Sequence, residues 1–150
     1  MRKLYAIPMM AVLLCIFFSA RVDALTGPNS AGWVPLKEDI HIRKTSIAYP
    51  ADNTVSLWIR IEPATETDLL RSAHTLLMEK GRDDLALAYY YTVYLSEIDC
   101  GKRRHRELIA ILYDTNHNII HSVQPGQAPW DAIGTGDSFD VVRNSVCAAD

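Results

Sequence analysis

The residue types that most often catalyse reactions or bind metals are present in this 150-residue chain, but not at the spacings those chemistries need. His117 and His121 are four residues apart, yet turn-forming residues place them across a turn and a strand instead of on one helix face, where zinc ligands at this spacing lie. No G-x-S-x-G motif marks a nucleophilic serine. Ser138 follows Asp137 and is better placed to begin a helix than to attack a substrate. We therefore predict no catalytic residues, metal site or cofactor.

The most concentrated charge lies in the run Lys102-Arg103-Arg104-His105-Arg106. Such a run binds heparin-like polyanions or acidic protein surfaces. In a strand its first, third and fifth residues would share one face of the sheet. The tyrosines of the nearby segment 89–94 are amphipathic and suit a binding surface. The predicted ligand-binding residues are Tyr90, Tyr94, Arg104 and Arg106. The alternative is that these charges pair with nearby acidic side chains and serve solubility.

Strands must position these residues. Thr54 to Ile61 alternates apolar and polar residues, which is typical of a strand with one buried face. The β-prone segment 88–98 predicts another strand, and 103–123 predicts a hairpin with its turn at 114–118. A short strand is predicted at 40–47, and a turn at 49–53.

Two helices are also predicted. Leu69, Ala73, Leu76 and Leu77 form the apolar stripe of a helix over about 66–80. Thr65 and Asp68 would begin it as a capping box, and Gly81 would end it. We expect this helix to pack on the sheet, the alternative being that it binds a partner. A second helix begins after Asp137 and places the residues Phe139, Val142 and Val146 on one face.

The first 24 residues have the three parts of a secretory signal peptide. A positive start is followed by an apolar stretch over 6–20, and Val22-Asp23-Ala24 supplies small residues for cleavage after Ala24. The apolar stretch contains Pro8 and is shorter than the roughly 20 residues that span a bilayer. We therefore predict an exported protein, periplasmic or associated with the outer membrane or cell surface, whose mature domain covers 30–148.

The net charge also excludes one class of partner. The whole chain carries −3 at pH 7, and because residues 1–24 carry +2, the remainder carries −5. Duplex nucleic acid is bound through many Lys and Arg contacts with phosphate. We therefore expect no nucleic-acid partner.

Export to an oxidising compartment would allow the cysteines to form a disulfide. Cys15 lies in the signal peptide, and Leu14 precedes it where a lipidated cysteine normally follows a small residue. Cys100 and Cys147 remain, and in an oxidising compartment two cysteines are expected to form one disulfide, the alternative being two free thiols. By reducing the conformational entropy of the unfolded chain, this cross-link is expected to stabilise the fold by about 4 kcal/mol.

A longer pattern resembles a known family. Its elements are Ile98-Asp99-Cys100, Arg103 and Arg106, Tyr113-Asp114, Trp130 and Ile133, Ser138, and Val146-Cys147, with Val55, Trp58 and Arg60 in the first half. Together they resemble the bacterial surface-adhesin protein E family over roughly 30–62 and 88–148. His105 and His117 stand where that family has an aromatic residue and a glycine, respectively.

The resemblance implies an α+β fold. Its parts are a curved antiparallel sheet of about six strands and a C-terminal helix tethered by the Cys100–Cys147 disulfide. The helix predicted near 66–80 departs from the family and is expected to be an insertion. It further implies a non-enzymatic binding protein, dimeric, that attaches bacteria to host matrix proteins such as vitronectin and laminin. Because the chain lacks a lipidation motif, the second hypothesis is a periplasmic structural or inhibitor-like protein with a bacterial partner.

Overall fold

Strands are the main secondary structure of the computed structural model, which describes residues 32–63, 68–124 and 128–147. Within these ranges eight strands form one open, curved antiparallel sheet. In chain order they are β1 Trp33–Lys37, β2 Ile40–Arg43, β3 Ala48–Ala51, β4 Thr54–Ile61, β5 Tyr89–Asp99, β6 Arg104–Asp114, β7 Ile119–Val123 and β8 Asp131–Ala132. Six lie side by side in the order β1-β2-β4-β5-β6-β7, while β3 pairs with β4 and β8 pairs with β6. The predicted α+β fold is confirmed.

The predicted signal peptide, with its cleavage site at Ala24, lies outside the described residues. The same holds for Thr65 of the predicted capping box and for the side chain of Leu69.

Three helices occur in the described ranges: α1 Asp68–Glu79, α2 Asp83–Ala88 and α3 Ser138–Val146. Gly81 follows α1 with φ +67, a left-handed conformation that glycine adopts without a steric penalty. The backbone N–H of Arg82 donates to the carbonyl of Leu77 at 2.9 Å, which completes the end of the helix. The predicted termination of α1 at Gly81 is therefore confirmed.

All three helices pack on one side of the sheet, which we call the helix face. Buried residues of α3 pack there against alternate residues of β4, which are Val55, Leu57, Ile59 and Ile61. Ala73 and Leu77 of α1 pack against Leu112 of β6, and Ala86 of α2 joins the same cluster. The alternation of β4 and the packing of α1 on the sheet are therefore confirmed.

The start and end of α3 are both fixed. The Asp137 carboxylate accepts a hydrogen bond from the backbone N–H of Asp140 at 2.7 Å, as an N-cap does. At the other end, Cys147 forms a disulfide with Cys100 at the end of β5. The predicted cross-link and its attachment of the C-terminal helix are confirmed.

Three local predictions differ from the structure. The strand expected over 40–47 ends at Arg43, because the hydroxyl of Ser46 donates to the Arg43 carbonyl at 2.6 Å and stabilises a 3₁₀ turn. The turn expected over 49–53 is shorter, since Ala48–Ala51 forms β3. Helix α2 was not predicted, because six residues are too few to show a helical stripe.

Candidate functional site

The side of the sheet opposite the helices carries arginines and aromatic rings. We call it the arginine face and define it by Arg60, Arg104, Arg106, Trp33, Trp58, Tyr91, Tyr113 and Trp130. Its apolar cluster contains strand residues, and no residue of α1, α2 or α3 belongs to it. Within the described ranges this is the side of the sheet that the helices leave uncovered.

One end of the arginine face is built around Trp130. Strand β8 pairs with β6, with Ala132 opposite Arg104, and this pairing brings Trp130 to the arginines. The guanidinium carbons of Arg104 and Arg106 lie 4.7 and 4.6 Å from the centre of the indole ring. Both distances are within the range of cation–π interactions. The flexible side chains of Arg104 and Arg106 are therefore both held against the rigid ring of Trp130.

Both arginines also form ion pairs with β5. Nε of Arg104 donates to Oδ2 of Asp99 at 3.0 Å, and Nε of Arg106 donates to Oε2 of Glu97 at 2.7 Å. The alternative that these charges pair with nearby acidic residues is confirmed for this pair of arginines. Their charges are locally neutralised, so this part of the surface is not a free positive patch.

The Asp99 carboxylate is held ionised. Burial by itself would raise the pKa of Asp99, but hydrogen bonds from the Lys102 backbone N–H, at 2.9 Å, and from Arg104 outweigh it and lower the pKa. A carboxylate that accepts such bonds remains charged at neutral pH. Asp99 is therefore a permanent partner that fixes the position of Arg104.

The other end of the arginine face is built around Arg60. Its guanidinium carbon lies 5.7 Å from the Trp33 ring and 5.6 Å from the Tyr91 ring, and Nη2 bonds Oε1 of Glu62 at 2.9 Å. Tyr90 is 42% exposed, and its hydroxyl donates to Oε2 of Glu62 at 3.3 Å. Tyr90 therefore lies beside this second cluster, away from Arg104 and Arg106 along the sheet.

Stacked tyrosines lie at the Arg60 end of this face, next to the turn between β6 and β7. The rings of Tyr91 and Tyr113 are nearly parallel, with centres 4.8 Å apart. His117, in the hairpin turn, lies 5.8 Å from Tyr91 and has a positive φ of 64. The left-handed backbone at His117 explains why glycine suits this position.

Tyr94, the fourth predicted ligand-binding residue, lies on the helix face. Its side chain is 7% exposed and contacts Phe139 edge to face, with ring centres 6.0 Å apart. The structure therefore separates Tyr94 from Arg104 and Arg106. Tyr94 pairs with Ala110 of β6. Along β5 its side chain points to the same side of the sheet as those of Ser96 and Ile98, whereas Glu97 and Asp99 point to the arginine face.

The basic run is divided between a turn and a strand. Lys102 and Arg103 precede β6, and the exposed Arg103 bonds Asp140 of α3 at 3.0 Å. Arg104 and Arg106 point to one face and His105 points to the other, as alternation predicted. Arg103 therefore helps to hold α3.

His105 lies on the helix face, where its ring packs as an aromatic side chain would. Its ring stacks on Phe139 with centres 3.7 Å apart, and its buried Nδ1 has no hydrogen-bond partner in the described part of the chain. Burial lowers the pKa of His105, although the carboxylates of Asp131 and Asp137 act in the opposite direction. The native fold therefore favours the neutral imidazole.

Acid should weaken the fold through His105. Because the pKa in the folded state is below the ordinary value of about 6.5, the unfolded chain binds the proton more readily, and stability is lost as pH falls below that value. Replacing His105→Phe keeps a ring against Phe139 but removes the titration. We expect the difference in unfolding free energy between pH 7 and pH 5 to be smaller in this variant, as measured by urea unfolding. Equal pH dependence in both proteins would contradict this assignment.

Of the residues that define the arginine face, only Arg104 and Arg106 were among the predicted site residues. Arg60 and Trp58 occupy the polar side of the alternating β4 pattern, and that side could have been proposed as a surface. Trp130 carries no such signal, because it precedes a strand of only two residues.

Two further properties concern only residues 32–63, 68–124 and 128–147. No group of three or more His, Cys, Asp or Glu side chains there is arranged to hold a metal ion. None of the helices there has the length and apolar character needed to cross a membrane.

Together, the fold and this surface define an α+β domain with a disulfide-attached helix and an uncovered sheet face of paired arginines and aromatic rings. No family model matches the sequence, and no curated protein matches it. The structure is similar to that of Haemophilus influenzae protein E, with a TM-score of 0.46 and 10% sequence identity, over 79% of this chain and 85% of that chain.

Proposed function

We propose that this protein is an exported, non-enzymatic binding module that contacts a protein partner through its arginine face. The observation that supports this most is the Trp130 ring held against Arg104 and Arg106, each of which is bonded to a carboxylate. Trp, Tyr and Arg are the residues most enriched where protein interfaces gain their binding energy. Side chains that are already fixed lose less conformational entropy when a partner binds.

A protein partner fits this surface better than a polyanion. Heparin-like ligands need several unpaired cations close together, since their affinity comes from neutralising many negative groups. Here Arg104, Arg106 and Arg60 each contact a carboxylate within 3.0 Å. The arginine face therefore offers the partly exposed indole rings of Trp33, Trp58 and Trp130 beside arginines that are already paired, with little net positive charge.

The proposed location and partner class have separate support. A disulfide suits an oxidising compartment outside the cytoplasm, which agrees with the signal peptide predicted for residues 1–24. The resemblance of the sequence to the surface-adhesin protein E family supports host matrix proteins, such as vitronectin and laminin, as partners. Periplasmic export with a bacterial partner is the competing hypothesis.

Trp130→Ala is the variant that tests the surface with least damage to the fold. Replacing Arg104 or Arg106 by alanine would leave Asp99 or Glu97 without its cation, and an unpaired, mostly buried carboxylate destabilises a protein. Trp130→Ala removes the ring and leaves both ion pairs. If Trp130 is at the centre of the interface, its loss should cost at least 2 kcal/mol, or about 30-fold in affinity.

The measurement is surface plasmon resonance against immobilised vitronectin and laminin, with heparin as a third surface. Arg82→Ala is the matched control, because Arg82 is exposed beside α2, far from the arginine face in the fold, and its ion pair with Asp84 is long, at 4.0 Å. We expect it to bind like the wild type. Undiminished binding by the folded Trp130→Ala variant would remove the proposed surface. If the wild type bound neither matrix protein, the matrix-protein assignment would be wrong, and the periplasmic hypothesis would be favoured.

A further inference from the structure

A cavity of about 230 Å³ lies on the helix face, between α1 and the strands that this helix covers. Leu76 belongs to its helix side, and Leu112 and Val123 belong to its strand side. Tyr94 and Glu107 also line it. The cavity thus combines apolar walls with a carboxylate, and we call it the Glu107 cavity.

Among the residues that the structure describes, the carboxylate of Glu107 has no partner. Neither a hydrogen bond nor an ion pair joins it to another residue in the described ranges, in contrast to Glu97 and Asp99 on the opposite face. Burial raises the pKa of Glu107, and the carboxylate of Asp131 raises it further. Both effects show an environment in which the negative charge of Glu107 is poorly compensated.

A ligand that supplies positive charge would stabilise the ionised form of this carboxylate. Its ionised form has lost part of its hydration and has gained no hydrogen bond in return. A cation placed against it would recover this energy, and the attraction is stronger in an apolar cavity than in water. An anionic ligand would be repelled by both Glu107 and Asp131.

We propose that the Glu107 cavity binds a small organic ammonium ion with an apolar body. The nitrogen would lie against the Glu107 carboxylate, and the apolar body would contact Leu76, Leu112 and Val123. Drug-sized ligands occupy roughly 300–1,000 Å³, so the body must be compact, such as one short alkyl chain or one ring. The cavity and the arginine face lie on opposite sides of the sheet, so this site does not depend on the function proposed above.

The probe is phenethylammonium chloride, followed by NMR through the methyl signals of Leu76, Leu112 and Val123. Two compounds of similar shape separate charge from size: neutral 2-phenylethanol and anionic 3-phenylpropionate. We expect saturable shifts of these methyl signals with the ammonium ion, and at least tenfold weaker binding of the other compounds. Absence of saturable shifts, or equal binding of the neutral alcohol, would overturn the proposal.

Three variants test the position of the site. Glu107→Gln keeps the size of the side chain but removes its charge, and it should weaken ammonium binding at least tenfold. Ala110→Leu extends a side chain into the cavity from its strand wall and should abolish binding. Glu79→Gln removes an exposed carboxylate at the end of α1 and should leave affinity within twofold of the wild type. Unchanged binding by Glu107→Gln or Ala110→Leu, or an equal loss in Glu79→Gln, would overturn the proposal.

Discussion

Replacing Cys147 by serine is expected to lower the free energy of unfolding by about 4 kcal/mol, because it opens a loop with a sequence separation of 47 residues between the joined cysteines. Domains of this size are stable by only about 5–15 kcal/mol in total. The cross-link therefore supplies a large part of the stability. Its loss should be visible in both urea and thermal unfolding.

The same substitution should release α3 before the sheet unfolds. Without the disulfide, α3 is held by buried side chains, including Phe139 and Val142, and by the partly buried ion pair between Arg103 and Asp140. Its sequence favours an isolated helix poorly, since it contains three valines. Hydrogen exchange should therefore speed up in 138–146 more than in β4 and β5.

Two controls separate the cross-link from other effects of the substitution. Asn144→Ala changes an exposed residue of the same helix and should alter stability by less than about 0.5 kcal/mol. Reduced wild-type protein should unfold at the same urea concentration as Cys147→Ser. If the variant and the oxidised wild type melted at the same temperature, the disulfide would not be a main source of stability.

Tyr91→Ala is expected to have a comparable effect, about 3–5 kcal/mol, through the arginine face. The side chain is 1% exposed, its ring stacks on Tyr113 with centres 4.8 Å apart, and the Arg60 guanidinium lies over it. Removing the ring would leave a cavity at the Arg60 end of the face, and Arg60 would keep its contacts with Trp33 and Glu62 alone. Urea unfolding of the variant measures this loss.

The hydroxyl of Tyr91 should contribute little to this stability. It is buried with no hydrogen-bond partner among the described residues, and burial raises the pKa of Tyr91 far above its usual range. Removing a buried polar group that has no partner does not break a hydrogen bond, so Tyr91→Phe should change stability by less than about 1 kcal/mol.

The contrast between the two variants makes this prediction specific. Tyr49→Ala provides the control for loss of a tyrosine ring, because Tyr49 is 72% exposed on β3, and its loss should cost less than about 0.5 kcal/mol. A loss in Tyr91→Phe as large as that in Tyr91→Ala would show that the hydroxyl, and not the stacked ring, stabilises the face.

The elements that could be predicted from the sequence are those with a regular hydrophobic period. Alternation in Thr54–Ile61 predicted β4 because one side of that strand is buried throughout. The stripe that includes Ala73 and Leu77 predicted α1 for the same reason. The disulfide could be predicted because two cysteines remain once the predicted signal peptide is set aside.

Elements without a period could not be predicted in this way. All four residues of β3 are exposed, so no alternation marks it, and its Pro50 favours a turn. Strand β8 consists of Asp131 and Ala132 alone, and α2 has a single buried residue, Ala86. Such elements form because neighbouring strands or helices offer them partners, which a local pattern cannot show.

The candidate site could be predicted in part for a similar reason. Alternation correctly placed Arg104 and Arg106 on one face. It did not place Tyr90, because a bulge between Tyr89 and Tyr91 interrupts the register with β6 at this position. The contact of Trp130 with the arginines depends on the short pairing of β8 with β6, so it required the structure.

The central claim is that the arginine face, and not the helix side of the sheet, meets the partner. Cross-saturation NMR on the deuterated protein tests it directly, with vitronectin or laminin as the irradiated partner. The account predicts loss of intensity for amides around Trp58, Arg106 and Trp130. Attenuation confined to α1 and α2, where Met78 and Leu87 are exposed, would contradict it.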